Sequence, residues 1–186
     1  MARYQFESDR ISVKEENQSL EIIISGKIPP TQMTMLTAWI IVWTFAAGYV
    51  LSQIFSPMED GTRSFMAIWL AFWAYFEYKI GNAWLWRKYG QEVFRMNPET
   101  AELNFEVGKG GKRKQLVTKD LRNLKNFEPE KGFFTKTYFS SFWVVGGETI
   151  GFYTKGKLLL FGRQLSTNDA DKLIKIMQPY FRKWTN

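Results

Sequence analysis

The sequence predicts a membrane α-helical hairpin joined to an α+β unit, in which seven antiparallel strands form a small barrel or sandwich closed by a C-terminal helix. Three observations predict it. Met33 to Phe55 is 23 residues without a charge, and a second aromatic-rich run, Phe65 to Trp86, follows after only nine residues, SPMEDGTRS. Beyond Gly90 the pattern changes to short alternating runs broken by turn residues at roughly ten-residue spacing. The chain then ends in apolar residues at three- and four-residue intervals.

The first run meets the length needed to cross ~30 Å of hydrocarbon, about 20 apolar residues. The second carries Glu77 and Lys79, and its Trp and Tyr residues crowd toward its ends, as interfacial residues do. The short Pro-, Gly- and Asp-containing link makes the two an antiparallel hairpin, with spans at 33–55 and 65–86. Thirty-two residues with strand-like pattern precede the first span, which argues against a cleavable signal peptide.

Orientation is read from Lys and Arg. The link holds one, Arg63, the first 32 residues hold four, and residues 87–186 hold nineteen against ten acidic residues. By the positive-inside rule both termini face the cytoplasm and the chain is a multi-pass membrane protein. The basic cytoplasmic part makes anionic lipid headgroups a candidate partner. Without a nucleic-acid-binding motif, nucleic acid is not expected as a partner.

Composition narrows the chemistry. The chain of 186 residues has neither Cys nor His. Disulfides, thiolate nucleophiles, His general bases and His- or Cys-ligated metals and haem are therefore excluded. No cofactor is expected. A phosphate-binding glycine loop is also missing, because no Gly-x-x-x-x-Gly-Lys-Ser/Thr pattern occurs.

Strands are expected near Glu92–Met96, Glu102–Val107, Lys114–Thr118, Leu121–Phe127, Tyr138–Val145, Thr149–Tyr153 and Lys157–Phe161. Asn97-Pro98, Gly108 to Gly111, Lys119-Asp120, Gly146-Gly147 and Lys155-Gly156 supply the breaks. Ser166, with Asp169 three residues on, caps a helix whose stripe is Ala170, Leu173, Ile174, Met177, Tyr180, Phe181 and Trp184, with Pro179 kinking or ending it. At the N-terminus, Arg10–Val13 and Leu20–Ile24 form a hairpin that joins the cytoplasmic sheet. The expected organisation is thus an N-terminal strand region (1–32), a transmembrane hairpin (33–87) and a cytoplasmic domain (88–186).

Leu20 to Ile24 ahead of the first span, Lys79 to Trp86 and Tyr89-Gly-Gln-Glu92 at the helix-to-strand step, Ile150 to Gly156, Leu160-Phe-Gly-Arg163 and Leu165 to Ala170 together carry a resemblance. The chain resembles bacterial two-transmembrane-helix proteins with a cytoplasmic pleckstrin-homology-like (PH-like) domain. That resemblance covers most of the chain. It implies a seven-stranded PH-like fold with a C-terminal helix, a bacterial inner-membrane location and an interaction role without catalytic residues.

Three groups of residues stand out. Glu77 and Lys79 lie near mid-span, where a charge costs at least ~2.5–3.5 kcal/mol and faces protein or water. Antiparallel counting sets Glu77 beside Trp43 and Thr44, as packing groups or as contacts to another membrane subunit. Lys109, Lys112, Arg113 and Lys114 form a basic loop, either a solvated hairpin tip or a headgroup contact. Phe133 and Phe134 form an aromatic tip, either core or partner-binding. The expected function is a non-enzymatic, membrane-anchored interaction module serving as an accessory subunit of a membrane complex, with homo-oligomers allowed. The alternatives are an anionic-lipid sensor and a transport or enzyme component to which Glu77 contributes.

Overall fold

A computed structural model describes residues 3–7, 9–16, 18–57, 59–127 and 141–185. Three strands open the chain: β1 (Arg3–Glu7), β2 (Ile11–Glu16) and β3 (Ser19–Ser25). Two long helices follow, α1 (Pro30–Ile54) and α2 (Asp60–Tyr89). Next come β4 (Gly90–Met96), β5 (Thr100–Val107), β6 (Gly110–Val117), β7 (Leu121–Asn126), β8 (Glu148–Thr154) and β9 (Lys157–Arg163). The last element is helix α3 (Thr167–Trp184).

The architecture corrects the expected seven-stranded PH-like barrel. Two separate antiparallel sheets form, one of six strands in the order β1-β2-β3-β4-β5-β6 and one of three in the order β7-β8-β9. The N-terminal strands make half of the larger sheet. β3 pairs with β4 from Leu20↔Met96 to Ser25↔Gln91, so chain separated by the whole helical pair meets in register. Ile22 lies opposite both Val13 and Phe94, which keeps one face apolar across three strands. Closure fails at β6, an edge strand exposed along nearly its whole length and carrying Lys112, Arg113 and Lys114. Cations on an edge resist further strand pairing. After a single turn of 3₁₀ helix at Thr118–Asp120, β7 pairs with β8 and begins the second sheet.

Individual strands differ from the sequence reading in instructive ways. β6 starts at Gly110, inside the expected glycine loop, because Gly108 alone, at φ +61°, supplies the positive φ that the turn requires. Residues 141–145 form bends and turns where the end of the strand Tyr138–Val145 was expected, and the rest of that strand lies outside the described residues. Pro179 does not end α3, which continues to Trp184. Ser166 caps α3 as expected, its Oγ accepting from Asp169 N–H at 3.0 Å.

The core lies between the sheets and α3. Ile11, Val13, Leu20, Ile22, Ile24, Phe94, Met96, Ala101 and Leu103 face it from the larger sheet. Ile150, Phe152 and Phe161 face it from the smaller sheet, and Leu173, Met177 and Phe181 from α3. Phe94 stacks on Phe161 at 5.3 Å and lies 5.8 Å from Phe152, so one ring joins both sheets. Each such side chain contributes about 1.5–3 kcal/mol by leaving water.

The helical pair forms a separate arm. Trp84 Nε1 donates to Thr37 Oγ1 at 2.8 Å, and Thr44 Oγ1 donates to Glu77 Oε1 at 2.7 Å. Both steps are seven residues, which gives an antiparallel pair in which Thr37 meets Trp84 and Thr44 meets Glu77. Among the described helices, only α1 is long and apolar enough to cross a membrane. That corrects the expected multi-pass localisation with both termini in the cytoplasm. Glu77, Lys79, Asn82 and the tyrosines Tyr75 and Tyr78 lower the hydropathy of α2 below that of a span.

The step from α2 to β4 is sterically closed. A Cβ on Gly90 would lie 2.4 Å from the Trp86 carbonyl oxygen and 2.4 Å from its ring, whereas a Cβ on Gly48 meets nothing within 4 Å. Gly90→Ala is expected to lower stability by about 1–3 kcal/mol, and Gly48→Ala, in mid-helix, to be neutral or stabilising by about 0.5–1 kcal/mol. Denaturant midpoints in one detergent compare the two. Equal effects would show that the contact at Gly90 is easily relieved.

Candidate functional site

Among the described residues, the buried charged side chains, Arg87 and Glu92, lie at the joint where α2 enters the sheets. Arg87 is 2% exposed and Glu92 is 1% exposed, five residues apart across the end of the helix. A carboxylate at an inward position of a strand is unusual. Glu92 shares a face with Phe94 and Met96, and its cross-strand neighbours are Ile24 and Phe105.

Glu92 Oε2 accepts from the backbone N–H of Gly162 at 2.6 Å and of Arg163 at 3.3 Å, which pins β9 of the smaller sheet to β4 of the larger. Its Oε1 lies 3.2 Å from Arg163 Nε, out of line for a hydrogen bond. Arg163 Nε also meets Glu148 Oε1 at 3.1 Å, and its guanidinium lies between the rings of Trp86 at 4.8 Å and Phe105 at 4.5 Å. Burial raises the Glu92 carboxyl to about 7. Arg163 and the two backbone donors only partly offset this, and Glu148 adds to it.

Two further arginines act as brackets. Arg87 donates to the carbonyls of Val144 at 3.0 Å, Phe142 at 3.4 Å and Gly26 at 3.5 Å, and to Gln164 Oε1. Burial, and then repulsion by Arg10, push its guanidinium down to about 10, so it stays charged at neutral pH. Arg10 donates to the carbonyls of Ser25 at 3.0 Å, Gln164 at 2.9 Å and Arg163 at 3.1 Å. Arm, N-terminal hairpin and C-terminal hairpin are thereby tied at one place.

The residues singled out from sequence are distributed as follows. Thr44 and Glu77 meet, and Glu77 Oε2 and the indole Nε1 atoms of Trp43 and Trp73 are buried without a hydrogen-bond partner. Trp43 stacks on Trp39 at 5.3 Å. Lys79 faces away from the seam, its Nζ 5.6 Å from the Tyr75 ring. The basic run splits by strand alternation. Arg113 lies opposite Asn104 and pairs with Glu102 at 2.5 Å, whereas Lys112 and Lys114 lie opposite Phe105 and Leu103 on the other face. The hydrogen bond from Arg113 holds the Glu102 carboxyl below its usual range. Lys109 occupies the hairpin tip, and Gly108 N–H donates to Tyr89 O at 3.3 Å, so this tip sits against the base of the arm. Phe133 and Phe134 lie outside the described residues.

Sequence reasoning missed Arg10, Arg87, Glu92, Glu148, Arg163 and Gln164. One signal was available: in Gly-Gln-Glu-Val-Phe-Arg-Met (90–96) the glutamate falls in phase with Phe94 and Met96. Among the described residues no group of three or more carboxylates is placed to hold a metal ion. No protein-family model, curated protein or solved structure matches the chain. The resemblance to PH-like two-helix membrane proteins therefore rests only on the residues that carry it.

An unfolded glutamate loses its proton near 4.5, and the folded one near 7. Between those values the folded state holds the extra proton, so its stability falls as pH rises through that window and is highest below it. Glu92→Gln keeps an acceptor for Gly162 N–H and cannot ionise. Relative to wild type, the variant is expected to gain stability between pH 5 and pH 8, on the order of 2 kcal/mol. Thermal midpoints of both proteins across that range check this. A difference that stays constant or shrinks with rising pH contradicts it.

Proposed function

We propose that the chain is a non-enzymatic, membrane-anchored interaction module, with α1 as its anchor and the two-sheet body held rigidly at the base. The observation that carries this reading is the apolar surface of the arm. Among the described residues, the large hydrophobic side chains that stand exposed all lie on the arm except Val107 and Val117, and they include Val42, Phe45 (76% exposed), Tyr49, Phe55, Phe65, Phe72 and Tyr78. Only 11% of the apolar window of α1 is buried within the molecule, so α1 is not the core helix of a globular domain. Monomeric soluble proteins rarely expose a contiguous apolar patch beyond a few hundred Å².

The base of the arm supports the same reading. Trp84 and Tyr89 flank Lys88, whose Nζ lies 4.6 Å from the Trp84 ring and 5.2 Å from the Tyr89 ring. Amphipathic aromatics beside a cation are the side chains favoured where hydrocarbon meets water. The exposed apolar faces of both helices, which a further helix would cover, favour a second helix-bearing subunit as partner.

Anchoring predicts that the full chain sediments with membranes, resists alkaline carbonate, and needs detergent for extraction. Val42→Lys combined with Phe45→Lys should release most of it, since each charge costs roughly 2.5–3.5 kcal/mol in hydrocarbon. A wild-type chain recovered as a detergent-free monomer would overturn the reading. Extraction in mild detergent then tests the partner: a stoichiometric second band supports it, and a homogeneous single species removes it.

A further inference from the structure

We infer that residues 141–145 form a second membrane contact, in which Phe142 and Trp143 enter the lipid interface beside α1 and seat the two-sheet body against the bilayer. The inference rests on α1 being the anchor, and it assigns a lipid-binding surface to a segment outside the helical arm.

Position is the first support. Trp143 lies edge-on to Trp39 of α1, with ring centroids 5.6 Å apart, so the segment runs along the arm as well as against the joint. The pairs Thr37–Trp84 and Thr44–Glu77 set Lys88 level with Met33 of α1. Trp39 is six residues beyond Met33, which at ~1.5 Å per residue places it about 9 Å further along the arm. Each interfacial layer of a bilayer is roughly 5–8 Å deep, given ~30 Å of hydrocarbon within about 40–45 Å overall. With the Lys88 ammonium among the phosphates, the Trp39–Trp143 pair falls where headgroups give way to hydrocarbon. Tryptophan is enriched at that depth.

The side chains fit the same surroundings. Phe142-Trp-Val-Val145 is an uncharged run of large apolar residues. All four are half-buried, and none joins the core between the sheets and α3. The rings of Phe142 and Trp143 lie 4.8 Å apart and form one apolar surface.

The backbone is the decisive feature. Irregular backbone leaves water only where the protein meets its polar groups. Ser141 O accepts from Gln164 Nε2 at 2.9 Å, and Phe142 O accepts from Arg87 Nε at 3.4 Å. Val144 O accepts from Arg87 Nη2 at 3.0 Å and from Gln164 Nε2 at 3.3 Å. On the donor side, Trp143 N–H reaches Ser141 Oγ at 3.4 Å, and Val144 N–H reaches Ser141 O at 3.3 Å. A loop built for water leaves such carbonyls to water. Here the joint takes them from beneath, which frees the aromatic side of the segment to lose its hydration.

The natural chain has no cysteine, so single cysteines report without background. Full-length chains carrying Trp143→Cys, Phe142→Cys, Phe45→Cys or Lys157→Cys are labelled with a nitrobenzoxadiazole fluorophore. They are reconstituted in phosphatidylcholine–phosphatidylglycerol vesicles that hold nitroxide lipids, spin-labelled either near the headgroup or at mid-chain. Phe45 is the reference for the anchor. Lys157 is the aqueous reference, since it starts β9 and lies six residues, or about 20 Å of strand, from Arg163 at the joint. The label at position 143 is expected to be quenched by the headgroup-proximal nitroxide at least about twofold more than the label at 157, and less by the mid-chain nitroxide. The label at 45 is expected to show the opposite depth preference. Phe142→Cys repeats the measurement with Trp143 in place. If the labels at 142 and 143 both behave like the one at 157 while the label at 45 is quenched, the inference is overturned and the anchor stands; the segment is then a cap on the joint or a surface for a protein. If the label at 45 is unquenched as well, the anchor falls and the inference falls with it.

Discussion

The structure depends on burying an arginine and a glutamate at one joint. Arg87 ends the helical arm and Glu92 begins the central strand, and between them the chain turns from helix to sheet without a loop, α2 ending at Tyr89 and β4 starting at Gly90. A buried arginine is tolerated only if its donors are met. Here carbonyls from Gly26, Phe142 and Val144, with the amide of Gln164, meet them. Those acceptors come from three regions far apart in sequence, so forming the arginine's hydrogen bonds is the same event as assembling the joint. Glu92 does the equivalent for the sheets. It bonds two backbone N–H groups of β9 from within β4 and replaces the ladder that two separate sheets do not share.

The consequence is mechanical. An arm of two helices attached by a flexible linker would report nothing to its body. This arm instead continues into a core strand, and a Cβ at Gly90 would strike Trp86. Around the joint Arg10, Arg87 and Arg163 meet the carboxylates Glu92 and Glu148, and Asp169 acts on Arg10 as well. Because Glu92 titrates near neutral pH, the protonation of the joint changes in the range where most surface carboxylates stay ionised.

Much of the larger architecture was legible in sequence. The uncharged run at 33–55 and the short link fixed a helical hairpin, and antiparallel counting alone brought Glu77 to Thr44. Alternation located β3, β4, β5, β8 and β9 to within a few residues. The failure of barrel closure was not legible. That the N-terminal hairpin joins this sheet was expected, but that β6 remains an edge and the chain starts a second sheet at β7 is a long-range choice that local pattern does not encode. The second span was over-read, because aromatic content resembles a membrane signal even where Glu77, Lys79 and Asn82 lower the hydropathy. The joint was hidden for another reason. Arginine and glutamate read as solvent-exposed by default, and only phase with Phe94 and Met96 marks Glu92 as inward.

Gly108 N–H reaches Tyr89 O, so the tip of the β5–β6 hairpin is hydrogen-bonded to the end of the arm. This contact ties the hairpin tip directly to the base of the apolar helices. The cations of the basic run share no common direction. Strand alternation separates them, with Arg113 beside Asn104 and Lys112 and Lys114 on the opposite face. Edge protection accounts for the second pair.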